Sequence, residues 1–180
     1  MTLERIHPVE KTHIFEGIYE NYIVKSSEIL LQYELYANTA NIYLPCGCYT
    51  NFRDALFHFR KLASSYEEKE IECQAFAIKE HLSRALTDAA SSVMDNISFI
   101  AERLLKDENI NDIQKQKTRE MLHKMKQANL RKRFSGMMLS NDGIKIGHED
   151  MLGLIDSFFE FANNNCKEEF AKYSHEYQQV

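Results

Sequence analysis

Apolar side chains recur along most of this chain in steps of three and four, the spacing that lines one face of an α-helix. From Val9 to Tyr36 the stripe is Phe15, Ile18, Tyr22, Ile29, Tyr33 and Tyr36, which predicts one helix. Residues 37–48, with asparagines, Pro45 and Gly47, read as a loop. A second helix is expected from near Tyr49, capped by Thr50 or Asn51, with Asn51 and Asp54 at the spacing of a capping box. Its apolar side is Phe52, Leu56, Phe59 and Leu62, and it fades at Ser64-Ser65.

The strongest periodicity runs from Glu67 to Asp107 through Ile71, Ala75, Ile78, Leu82, Ala85, Ala89, Val93, Ile97, Ile100 and Leu104. It predicts a helix of ~40 residues, about 60 Å if straight, in which Asp95-Asn96 can bend. A more polar helix is expected from Asn111 to Phe134, with Ile113, Met121, Leu122, Met125 and Leu130 as its apolar members. Ser135 to Asp150 has no helical period, and Asn141-Asp142-Gly143 within it can turn a short hairpin. A last helix, Glu149 to Tyr177, lines up Met151, Ile155, Phe158, Ala162, Cys166, Phe170 and Tyr173. Stripes of this kind must cover one another, so the expected fold is all-α, an antiparallel bundle of about five helices in one domain over residues 1–180.

Composition changes this picture little. Hydrophobic residues make up 44% and charged residues 27%, an ordinary globular balance, and only two prolines and six glycines interrupt the helices. A net charge of −5 supplies no general attraction for nucleic acid, so any such binding needs a local basic patch. No apolar run approaches the ~20 residues of a membrane span, and the first residues lack the layout of a signal peptide. The expectation is a cytoplasmic protein whose cysteines (Cys46, Cys48, Cys73, Cys166) are reduced thiols.

Candidate chemistry lies in Arg53-Asp54-Ala55-Leu56-Phe57-His58. Cleaving RNA without a metal needs a group that moves protons near neutral pH, which histidine supplies. It also needs a fixed cation for the charge on phosphorus, and the planar arginine fork suits that role. An arginine in a first helical turn gains further from the free N–H groups there.

Arginine, a polar residue, and a histidine five positions on resemble the signature of the HEPN superfamily (higher eukaryotes and prokaryotes nucleotide-binding domains). These small helical bundles recur in toxins, CRISPR effectors and other defence ribonucleases. The resemblance implies a metal-independent endoribonuclease, leaving 2′,3′-cyclic phosphate and 5′-hydroxyl ends, and no cofactor. His58 would be the general acid/base, Arg53 the transition-state cation, and Asp54 would orient or pair Arg53. It also implies an antitoxin or other defence-system partner. Positions five apart on a helix diverge by about 140°. The family's pairing of two motifs across a dimer would resolve that, so a homodimer or a second HEPN-type subunit is expected. Arg60 stands where some HEPN toxins carry a modified tyrosine, so that control does not apply.

Arg60 and Lys61 are candidate RNA contacts. So is the basic run of the fourth helix, where Lys115, Lys117, Arg119, Lys124, Lys126, Arg131, Lys132 and Arg133 face one acid, Glu120. Such a patch fits phosphate binding, or pairing with acidic stretches such as Glu67-Glu68-Lys69-Glu70-Ile71-Glu72. Cys46-Gly47-Cys48 lacks a second ligand pair for zinc, so no metal site is expected. His81 and His123 read as surface residues. The alternative function is a non-catalytic helical interaction module of a larger complex, in which the stripe of the 67–107 helix would meet a partner.

Overall fold

The computed structural model of the chain describes residues 5–135 and 146–177, side chains excepted at 129–135, 146, 147 and 149. The fold is an all-α helical bundle, with no strand among the described residues. Its helices are α1 (Pro8–Ile18), a π-helical segment (Tyr19–Val24), α2 (Lys25–Thr39), α3 (Cys46–Ser64), α4 (Glu68–Lys106), α5 (Asp112–Ser135), α6 (Ile146–Asn165) and α7 (Lys167–Tyr177). Each of the five expected helices is present, two of them subdivided. The expected Asn141-Asp142-Gly143 hairpin lies outside the described residues.

The subdivisions have local causes. The π-helical turn winds in extra residues and rotates everything after it. Tyr22 and Ile23 are consequently both buried, and beyond them the buried positions are Ser26, Leu30, Tyr33, Ala37 and Ala40 rather than Ile29 and Tyr36. In the last helix the Asn165 carbonyl accepts a bond from Gln114 Nε2 of α5 at 2.5 Å, which takes it out of the helical ladder. The turns on either side continue, with Cys166 N–H bonded to Ala162 O and Phe170 N–H to Cys166 O.

The chain falls into two compact units, and α2 and α4 each contribute to both. Unit 1 takes α1, the π-helical turn, the start of α2, α3 and the first half of α4 up to Asp88; unit 2 takes the rest of α2 and α4 with α5, α6 and α7.

In unit 1, α3 lies between α1 and α4. Phe15 and Tyr19 stack on Phe59, and Lys11 Nζ bonds Ala63 O, so α1 and α3 run antiparallel. The fully buried side of α3 is Cys48, Ala55 and Leu62. The expected apolar side is corrected accordingly: Leu62 is buried and Phe52 and Phe59 are half-buried, but Leu56 is 44% exposed.

In unit 2, Ala89, Val93, Ile97, Ile100 and Leu104 of α4 are all fully buried. The stripe proposed for a partner protein is therefore covered by the chain itself. At α5 a reciprocal capping box forms, with Asn111 Oδ1 accepting from Gln114 N–H and Gln114 Oε1 from Asn111 N–H. His148 is 2% exposed, and its Nδ1 meets the Tyr33 hydroxyl at 2.8 Å.

Asn96, where a bend was allowed, lies inside the unbroken α4 and is fully buried. Neither of its side-chain polar atoms has a partner among the described residues. Burying an amide without a bond costs about 1–3 kcal/mol. Asn96→Leu is expected to raise the urea midpoint of unfolding; a lower midpoint would show that the amide is satisfied in solution.

Candidate active site

Gly47, Asn51 and His58 of α3 lie opposite Asp88, His81 and Gln74 of α4, an antiparallel pairing within unit 1. A Cβ on Gly47 would come within 3.3 Å of Asp88 Oδ2, so only glycine permits this approach without adjustment. Seven residues make almost two helical turns, so Asn51 and His58 share one face of α3, as Gln74, His81 and Asp88 do on α4. The result is a polar seam beside the apolar stripe.

The hydrogen bonds of the seam fix its chemistry. Gln74 is 6% exposed, and its Nε2 donates to Glu70 Oε1 at 2.6 Å. A carboxylate only accepts, so the amide oxygen must be the atom that faces His58 Nδ1, at 2.6 Å. His58 Nδ1 therefore carries the proton, and Nε2 of the neutral ring carries the lone pair. The same construction recurs one layer along, where His81 Nδ1 donates to Asn51 Oδ1 at 3.1 Å. The two imidazoles stack with centroids 5.3 Å apart and planes 20° from parallel.

Both rings are partly exposed. Neither Nε2 has a partner among the described residues. Neither is among the buried polar atoms left without one, which are Ser26 Oγ and the two Asn96 atoms. Neither nitrogen is therefore fully enclosed.

Arg53 is placed differently. The helix starts at Cys46, with Pro45 in the N-cap position but no side-chain cap, and Cys48 N–H bonded to Pro45 O at 2.9 Å. The expected start near Tyr49 is thus corrected, and neither Thr50 nor Asn51 caps it. Asn51 serves His81 instead. Arg53 consequently sits two turns inside α3, away from the free N–H groups of the first turn. Its side chain is 74% exposed, and its Nε and Nη2 both donate to Asp54 Oδ1, at 3.2 and 2.9 Å. Asp54 pairs Arg53, then, and lies on α3 between Arg53 and His58 in angle. Arg53 shares the outward side with Tyr49, Leu56, Phe57 and Arg60. Lys61 Nζ rests over the Phe57 ring, 4.6 Å from its centroid.

The other candidate RNA contacts lie in unit 2. Lys124 is exposed on α5; Arg131, Lys132 and Arg133 fall in its last turns, their side chains outside the described residues. Among the described residues the basic run pairs with Glu102, through Lys126 at 3.3 Å, and with no residue of the stretch 67–72.

Of the two histidines read from sequence as surface residues, His81 is partly exposed and bonded to Asn51, and His123 is exposed and bonded to Gln127. The missed signal is the seven-residue spacing of Gln74, His81 and Asp88, matched by Asn51 and His58. Around Cys48, burial and the nearby Asp88 carboxylate push the thiol up to about 11, which keeps it protonated at neutral pH and a poor metal ligand. Among the described residues no three His, Cys, Asp or Glu side chains cluster as metal ligands would. No helix among them is long and apolar enough to cross a membrane. Compared with protein-family models, curated proteins and solved structures, the chain matches none.

Proposed function

We propose that this chain is a metal-independent endoribonuclease of HEPN type, cleaving RNA to 2′,3′-cyclic phosphate and 5′-hydroxyl ends. The observation that carries the reading is His58, a partly exposed ring held at Nδ1 by a buried glutamine, with no partner at Nε2 among the described residues. An imidazole so held is oriented for proton transfer and needs no further rearrangement. Arg53 is the cation for the phosphorane; incoming phosphate competes with Asp54 for its guanidinium, and such an exposed ion pair is worth only about 0–1 kcal/mol. A role as toxin or antiviral effector, with an antitoxin or defence-system partner, goes with the HEPN resemblance. So does a homodimer.

Incubating the purified chain with end-labelled RNA in excess EDTA tests the reading. Fragments ending in 2′,3′-cyclic phosphate are expected. Cleavage that requires a divalent metal, or no cleavage of any RNA, overturns it. The interaction-module reading is favoured by a different observation, the exposed Leu56 and Phe57 beside Arg53, and gains if RNA is left intact.

A further inference from the structure

We infer that His81 is a second proton-transfer group of the same site, so that α3 and α4 of one chain together supply both imidazoles for RNA cleavage. The inference rests on the ribonuclease reading above and adds to it a residue outside the Arg53…His58 motif. It also removes the need for a second copy of the chain to complete the acid–base pair.

Transesterification at a phosphodiester moves two protons. The 2′-hydroxyl loses one as its oxygen bonds to phosphorus, and the 5′-oxygen gains one as the P–O5′ bond breaks. A single imidazole must serve both oxygens or leave one to water. Two imidazoles a few ångströms apart can serve one each, the neutral ring taking the 2′-hydroxyl proton and the protonated ring giving its Nε2 proton to the 5′-oxygen. The pair ends with its single extra proton moved from one ring to the other, and exchange with water resets it. No metal, oxidant or further reactant enters.

The geometry around His81 matches this role. Its ring stacks on His58 at 5.3 Å, close enough for both to face one phosphodiester. Both rings are anchored the same way, Nδ1–H on an amide oxygen, one from Asn51 and one from Gln74. Both rings stay partly exposed, with no partner at Nε2 among the described residues. His148 looks different: it is 2% exposed in the core of unit 2, against Tyr33. Burying the whole ring is what packing alone would favour, and the α3–α4 seam does the opposite twice.

The test uses the full chain in EDTA with two substrates, an ordinary RNA and the same RNA with sulfur replacing the bridging 5′-oxygen at one linkage. A thiolate leaves without needing a proton, so this substrate bypasses the acid. His81→Gln and His58→Ala are each expected to slow the ordinary substrate by about 10²–10⁴-fold. One of the two variants, and not the other, should recover on the sulfur substrate, because only one imidazole serves the leaving group. Mixing the two variants should restore nothing, since both groups belong to one chain.

His81→Gln cleaving at the wild-type rate, rescue of neither variant, or activity regained on mixing overturns the inference while leaving the ribonuclease reading in place. Failure of wild type to cleave sinks that reading itself. A measurement free of substitutions stands beside these. An RNA with a 2′-deoxy nucleotide at the scissile position cannot be cut, and its binding should shift the imidazole ¹⁵N resonances of both histidines. A shift confined to His58 counts against His81.

Discussion

His58→Ala is expected to slow RNA cleavage by about 10²–10⁴-fold, the range for loss of a positioned acid–base group. Its cost in stability is separable. Removing the ring leaves Gln74 Oε1 without its donor, while Gln74 Nε2 keeps Glu70. An orphaned buried acceptor costs about 1–3 kcal/mol, which a folded protein can absorb. A thermal melt of the variant should therefore still show a cooperative transition. Arg53→Ala should leave stability almost untouched, since the exposed Arg53–Asp54 pair contributes little. If Arg53 stabilises the phosphorane, cleavage should still fall by about 10²–10³-fold.

Asp54→Asn separates the two roles considered for Asp54. Both of its bonds from Arg53 land on one oxygen, and the acid holds the cation that the proposed reading assigns to RNA. Neutralising it is expected to tighten RNA binding by up to about fivefold at low salt. Weaker cleavage with unchanged binding would mean that Asp54 orients Arg53 for catalysis. His58→Ala cleaving as fast as wild type would refute the catalytic assignment altogether.

The five helices were legible because burial follows the three-four period, and α4 came within a residue of its expected bounds at each end. What hid from view depended on contacts between helices. The phase change after Tyr19–Val24 arises from one π-helical turn, for which the sequence has no marker. The start of α3 was displaced because Pro45 can serve as N-cap, while the asparagine that looked like a cap is employed against His81. Motif spacing found His58 but drew attention to Arg53, which the helix turns away. His81 escaped because a histidine beside an apolar stripe reads as a surface residue until its neighbour on the facing helix is known. Gln74 escaped for the same reason: Ala75 fitted the expected stripe, yet Gln74 is the buried residue.

Asp107→Ala is expected to destabilise the chain more than any surface substitution, by at least about 1.5–3 kcal/mol, the range for losing a hydrogen bond to a charged group. Asp107 closes α4 and is 8% exposed. It accepts from the Tyr173 hydroxyl of α7 at 2.5 Å and from the Asn109 N–H at 2.8 Å, with Lys172 Nζ at 3.9 Å. The Tyr173 bond first, and then the Asn109 N–H, lower its pKa below the ordinary 3.8 despite burial. A group whose pKa falls on folding binds its proton more weakly in the folded state. Its contribution is therefore complete above the unfolded value and is lost as the pH drops through the folded one. Tyr173 has the opposite sign: burial, and then its bond to Asp107, raise its pKa, so its contribution holds below 10 and is lost as the pH climbs through the raised value. The urea midpoint of wild type should consequently fall on going from about pH 7 to about pH 3, and that of Asp107→Asn should fall less over the same interval. Tyr173→Phe, which removes one donor and leaves the carboxylate its other partners, should cost about 1.5–3 kcal/mol. Equal acid sensitivity in wild type and Asp107→Asn would mean that other carboxylates set the acid limit, and that the α4–α7 bond is worth no more than a bond to water.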